Sequence, residues 1–255
     1  MFYPDRHHPC FFLEDALRTL GMDAQVIRND ETLNCWGLKV DGKLMVYLID
    51  NRHLHERVTE DPAALELIKR GVLVTCAQRP DAERVGAKWL PLAVTPGYRF
   101  EPRHKIFDCG FVGYVRDPGR AEMLALVASR FTTAFSQGCF GDSAVSDYWQ
   151  SRVGLNVVTG YGTPNSYDTW NMRSPEIMST GTPLVLGYED YLADLGVISG
   201  ENCMTYDSPA GMLAAIQYLI DTPDRATQIG IAGMNLVLAR HKYSHRAQQV
   251  IEWLV

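Results

Sequence analysis

The densest group of residues able to do chemistry is Asn171-Met172-Arg173-Ser174-Pro175-Glu176-Ile177-Met178-Ser179-Thr180-Gly181-Thr182-Pro183-Leu184-Val185-Leu186. Ser174-Pro175 reads as a helix N-cap followed by a proline already set to helical φ. Gly181 reads as the left-handed residue that ends the helix, and a strand follows at once. Glu176 then sits in the first turn and Arg173 just outside it. A helix N-terminus offers unpaired N–H groups and the positive end of its dipole to a phosphate. A carboxylate beside it can accept hydrogen bonds from a ribose diol, and an arginine fork can pair with a diphosphate. The spacing alone also fits a plainer reading, in which Glu176 complements the dipole and Arg173 is a solvated surface group.

A second group follows the aliphatic run Leu44 to Ile49, in Met45 to Arg57. Asp50 and His53 stand at the end of this expected strand, where open α/β sheets put ligands. Asp50 could equally cap the next turn or pair with Arg52. His53 and His55 have no third ligand, so no metal site is assigned. His7 and His8 are expected to face solvent, and His241 and His245 to be structural. The stretch Gly160 to Asn171 is long, polar and aromatic, as functional loops are. Its Tyr161, Tyr167 and Trp170 either stack on a base or pack the loop onto its own domain.

These residues need a scaffold. Asp61-Pro62, Ser174-Pro175, Ser208-Pro209 and Thr222-Pro223 each read as N-cap plus N1. After Ser208, the positions Met212, Leu213, Ile216, Leu219 and Ile220 keep helical spacing, and a last helix starts near Ser244. Between the helical stretches lie short apolar runs: Leu44 to Ile49, Val72 to Cys76, Phe107 to Val112, Phe131 to Phe135, Val153 to Val158 and Pro183 to Leu186. Strands alternating with helices predict an α/β fold with parallel sheets. Trp89 to Tyr98, with two prolines and a glycine, reads as a linker between two small Rossmann-like domains.

With 255 residues, 46% hydrophobic and 21% charged, the chain is ordinary globular material, which excludes disordered and collagen-like classes. No apolar run approaches the roughly 20 residues of a membrane helix, and no signal peptide is read at the start, so a cytoplasmic protein is expected. The six cysteines show no CxxC spacing and are expected to be reduced and structural. The net charge of −6, with the acid excess mainly in the second half, argues against binding nucleic acid by bulk electrostatics. Arg6-His7-His8 and Arg52-His53-Leu54-His55-Glu56-Arg57 are where a polyanion contact would fall.

The segment Arg173 to Leu186 resembles the R-x-x-E signature of GT-B fold glycosyltransferases, in particular the CgeB-like group related to spore-maturation proteins. Lys88-Trp89-Leu90-Pro91-Leu92-Ala93 is similar to that group's segment preceding the second domain. Phe107-Asp108-Cys109-Gly110-Phe111-Val112-Gly113 with Arg120 is similar to its opening strand and turn. Ser151-Arg152-Val153-Gly154-Leu155-Asn156 resembles a further strand, and Arg240-His241-Lys242-Tyr243-Ser244-His245-Arg246 the closure before the last helix. The resemblance covers about residues 88–255 and is weaker over the first hundred, where Thr75-Cys76-Ala77-Gln78 is the later strand match.

The resemblance implies two Rossmann-like domains facing a cleft. Residues 1–95 would form a small acceptor-side domain and 96–243 the nucleotide-sugar domain, with 244–255 a helix packing back toward the first. Glu176 would take the ribose and Arg173 the diphosphate. Gly113, Arg116 and Arg120 would line the phosphate side, with Asn156 a further donor contact. Cationic side chains would replace a metal in stabilising the leaving nucleoside diphosphate, so no metal and no cofactor beyond the donor sugar nucleotide are expected. Asp168, eight positions before Glu176, is similar to the first acid of the E-x7-E pattern of retaining enzymes, which leaves the stereochemistry open. Asp50 or His53 would deprotonate a hydroxyl acceptor. Rival readings are transfer to hydroxymethylated pyrimidines in DNA through the first domain, a non-catalytic nucleotide-sugar-binding protein, and a sugar-nucleotide epimerase.

Overall fold

The computed structural model describes residues 8–28, 36–48, 62–115, 117–139, 141–158 and 169–254. Along the chain run α1 (Pro9–Thr19), β1 (Ala24–Arg28), β2 (Trp36–Val40), β3 (Lys43–Leu48), α2 (Pro62–Lys69), β4 (Leu73–Cys76), α3 (Arg79–Val85) and β5 (Lys88–Trp89). There follow β6 (Phe107–Val112), α4 (Pro118–Ala128), β7 (Thr133–Ser136), α5 (Asp142–Trp149), β8 (Ser151–Asn156), α6 (Arg173–Ser179) and β9 (Leu184–Gly187). A 3-10 turn (Asp190–Leu195), β10 (Met204–Tyr206), α7 (Pro209–Asp221), α8 (Pro223–Arg240) and α9 (Tyr243–Leu254) complete it. Proline opens most of these helices because its φ is preset and its missing N–H would have no intrahelical partner there. His8, Asp117 and Ser208 precede such prolines and accept hydrogen bonds from Cys10, Arg120 and Gly211 N–H respectively.

Residues 1–95 and 241–255 form one compact unit, and residues 96–240 a second. The sheet of the first has the order β1-β2-β3-β4-β5. Only β3–β4 and β4–β5 are parallel; β1–β2 and β2–β3 are antiparallel, which departs from the parallel sheet expected throughout. For β2–β3 the cause is the turn Asp41-Gly42, whose φ values of 46° and 80° suit a two-residue hairpin and return the chain beside β2. The signal was in the sequence as an Asp-Gly pair between two apolar runs.

Strand β3 is buried on both faces from Met45 to Leu48. Val46 and Leu48 pack with Val74, Cys76, Ala82 and Val85 against α2 and α3. On the other side Tyr47 gives its hydroxyl to Leu90 O at 2.8 Å. Helix α9 packs on α1, with the Phe12 and Tyr243 rings 5.4 Å apart. Arg246, 3% exposed, donates from Nε to Pro91 O at 2.6 Å and lies 2.8 Å from His241 Nδ1, tying α9 to the Leu90–Ala93 segment. His241 therefore has the structural role expected of it.

The second unit carries a sheet of order β10-β9-β8-β6-β7, parallel throughout. Cys109, Phe111, Val153, Leu155 and Val185 of its strands pack with Leu124 and Val127 of α4, Met212, Ile216 and Leu219 of α7, and Ile229 of α8. Helix α8 comes so close that a Cβ on Gly230 would lie 2.1 Å from Gly181 O, so only glycine fits there. No helix among the described residues is long and apolar enough to cross a membrane.

Candidate active site in the parallel-sheet unit

The chain leaves β6 for β7 on one side and later enters β8 on the other, so β6 and β8 flank the switch point of the parallel sheet. The crevice outside their carboxyl ends is where open α/β sheets bind ligands. Asn156 ends β8 and Gly113 follows β6. Asn156 is fully buried, and its amide is saturated. Nδ2 donates to Thr169 O at 2.7 Å and to Ser174 Oγ at 2.8 Å, while Oδ1 accepts from Arg173 Nη1 at 2.7 Å and Asn171 Nδ2 at 3.2 Å. A carboxamide can make just this many bonds, two given and two taken at its oxygen.

Arg173 is held on three sides. Nε donates to Val112 O at 2.7 Å, Nη1 to Asn156 Oδ1, and the guanidinium carbon stands 4.5 Å from the Phe111 ring centroid. Among the described residues none hydrogen-bonds to Nη2, which lies over Gly113: a Cβ at that position would be 2.2 Å from it. The absence of a side chain on Gly113 is what lets the cation sit across the end of β6. The sequence predicts Ser174 as the N-cap; instead it is buried inside the helix, its Oγ donating to Thr169 O at 2.8 Å. Asn171 does the capping, its Oδ1 accepting from Arg173 N at 3.0 Å.

Glu176 lies in the first turn of α6, three residues from Arg173 and half-buried like it. The charge of Glu176 reaches the phenols of Tyr98 and Tyr148. Burial first, then Glu176, pushes the Tyr98 phenol up; burial does the same to Tyr148, with Arg173 opposing and Glu176 adding. Both therefore stay protonated.

Arg120 is 9% exposed and serves the backbone: Nε donates to Val157 O at 3.0 Å and Nη1 to Tyr114 O at 2.8 Å. It joins the start of α4 to the ends of β6 and β8. Asp50, His53, Arg116 and Asp168 lie outside the described residues, as do Tyr161 and Tyr167. Of the first Arg/His cluster only His8 is described. It is 5% exposed where solvent was expected, because its ring caps α1 and so packs beneath it. Trp170 is 1% exposed, and its backbone N–H donates to Tyr191 Oη at 3.2 Å, so it packs its segment onto its own unit. Sequence reasoning passed over Thr169, Asn171, Tyr148 and Tyr191. Only Asn171, an Asx residue two positions before Arg173, carried a local signal.

Among the described residues no three His, Cys, Asp or Glu side chains gather to hold a metal. A parallel α/β unit with an arginine, an acid and a glycine at its switch point, in a chain that carries a second sheet-bearing unit, has the make-up of the GT-B glycosyltransferase fold class. The chain belongs to the glycosyl transferase-like family, whose model matches residues 117–252, just over half its length. No curated protein sequence gives a significant match. Among solved structures, sucrose-phosphate synthase from Thermosynechococcus elongatus matches with a TM-score of 0.55 and 15% identity over 79% of this chain and 62% of that one. TarM matches with a TM-score of 0.56 and 9% identity over 81% of this chain and 49% of that one. A TarM mutant from S. aureus in complex with fondaparinux, α-GlcNAc-glycerol and UDP matches with a TM-score of 0.52 and 9% identity, over 74% and 45%. The chain thus spans less than two thirds of the length of each.

Proposed function

We propose that this protein transfers a sugar from a nucleoside-diphosphate sugar to a hydroxyl acceptor, with the donor held by residues 96–240. The observation that carries this reading is the Arg173/Glu176 pair on α6, with Arg173 locked to Val112 and Asn156 and its Nη2 standing over Gly113. In the transfer, the bond from the sugar C1 to the β-phosphate oxygen breaks as the acceptor oxygen bonds to C1. The acceptor's proton passes to a base, and the nucleoside diphosphate leaves with the bonding pair. Arg173 stabilises the charge that grows on that leaving group, without reorganisation, because its partners already fix it. Glu176 accepts hydrogen bonds from the ribose diol, Gly113 lets the phosphates approach, and Arg120 holds the loop they approach. Asn156 serves the donor by orienting Arg173.

Arg116 is a second candidate cation and Asp168 a second candidate acid. Asp50, then His53, are the candidate bases. With cations in place of a metal the reaction is metal-independent. The CgeB-like subgroup is the finer family assignment, supported by the motifs at 88–93, 107–113 and 240–246. UDP in the complex of a fold neighbour supports a nucleoside diphosphate as the leaving group.

The test is thermal stabilisation by a panel of nucleoside diphosphates and nucleotide sugars, since a ligand that binds only the folded state raises stability by mass action. One nucleotide should stabilise the wild type and fail to stabilise Glu176→Ala. A variant that responds as strongly as the wild type removes Glu176 from the donor site.

A further inference from the structure

Tyr148, near the end of α5, belongs to no motif. It is 1% exposed, and its hydroxyl oxygen accepts from Val112 N–H at 3.2 Å. The carbonyl of the same Val112 accepts from Arg173 Nε at 2.7 Å. The two peptide groups on either side of the Val112 Cα are therefore pinned, one by Tyr148 and one by Arg173, immediately before Gly113. The backbone carbonyl of Tyr148 is itself tied, accepting from Thr182 Oγ1 at 2.9 Å in the turn after α6. Arg173 and Glu176 are the charged side chains that act on this phenol most strongly. A buried phenol must find a partner, and this one finds it at the last residue of β6, where the anchor of Arg173 also lies.

We propose that Tyr148 is a positioning residue for the donor site, fixing through Val112 the direction of the Arg173 guanidinium toward an anionic ligand. This rests on the donor-site reading above. Without the hydroxyl, Val112 N–H loses its partner, the end of β6 loosens, and the carbonyl that anchors Arg173 Nε loosens with it. Arg173 is then held chiefly by Asn156 and the Phe111 ring.

The test is Tyr148→Phe in the full chain, which keeps the ring and removes the hydroxyl. The Arg173 Nε–H resonance, identified by its loss in Arg173→Lys, should shift and exchange with solvent at least several-fold faster. Affinity for the tightest-binding member of ADP, CDP, GDP, UDP and dTDP, measured by calorimetry, should fall about ten-fold. A lowered melting temperature with the Arg173 resonance and the affinity unchanged would make Tyr148 a packing residue and overturn the proposal. Wild-type protein that binds none of the five overturns the donor-site reading itself, and the resonance result reports separately on the link from Tyr148 to Arg173. Tyr148→Leu lacks both ring and hydroxyl, so its difference from Tyr148→Phe gauges the packing contribution alone.

Discussion

The side-chain oxygen of Asn156 accepts from Arg173 Nη1 at 2.7 Å while its nitrogen gives both protons to Thr169 O and Ser174 Oγ, so one buried amide joins β8 to the start of α6. Asn156→Asp keeps the acceptor and deletes the donors, setting a carboxylate against a carbonyl oxygen. The expected loss is about 2–4 kcal/mol, the cost of buried polar groups left without partners. Urea unfolding measures it; a loss under about 0.5 kcal/mol would mean that pairing of the new carboxylate with Arg173 offsets the lost donors.

Gly113→Ala forces a methyl group to within 2.2 Å of the present position of Arg173 Nη2. The guanidinium is anchored at Nε and Nη1, so it must leave those partners to make room. Nucleotide affinity should fall ten-fold or more, with about 1–3 kcal/mol of stability lost. Equal affinity of variant and wild type in calorimetry would show that the cation is not needed where it stands.

His8 caps α1 through its neutral ring, and burial lowers its pKa from 6.5 to about 4. Between those values the unfolded chain binds the proton and the folded chain does not, so stability falls as pH drops from 6.5 toward 4 and is fully present above 6.5. The ceiling is about 3 kcal/mol. His8→Asn keeps a capping oxygen without a titrating group. The stability difference between wild type and variant should be constant near pH 7 and move against the wild type by pH 5. Parallel curves would contradict the assignment.

Gly42→Ala tests the hairpin. Nothing lies within 4 Å of a Cβ at that position, so the cost is the backbone's alone, at φ 80°. About 1 kcal/mol is expected in denaturant unfolding. A larger loss would indicate that the turn also governs the packing of β2 and β3.

Much was local and therefore readable from the chain. The Ser208-Pro209 cap and the apolar spacing behind it define α7, because a capping oxygen and a preset φ act within one turn of helix. The aliphatic runs at 44–49, 107–112 and 153–158 overlap β3, β6 and β8, because a strand covered on both faces is continuously apolar. The approach of Arg173 and Glu176 on α6 follows from their spacing of three. The Asp41-Gly42 turn was equally local and was missed beside the stronger alternation of strands with helices.

The remainder depended on partners distant in sequence. Nothing around Ser174 says that it will be buried under Asn156 instead of capping its helix, since that choice is made by β8, eighteen residues away. His8 reads as an exposed loop residue until α1 buries its ring. Arg120, expected at the phosphates, is drawn to Val157 O and Tyr114 O because α4 starts beside two strand ends whose carbonyls need donors. Residue types and spacing determined which groups this protein carries and the helices and strands that bear them. Which of those groups stay at the strand ends and which satisfy buried backbone was decided only when the parallel sheet assembled, because desolvation acts on the packed chain and not on the sequence.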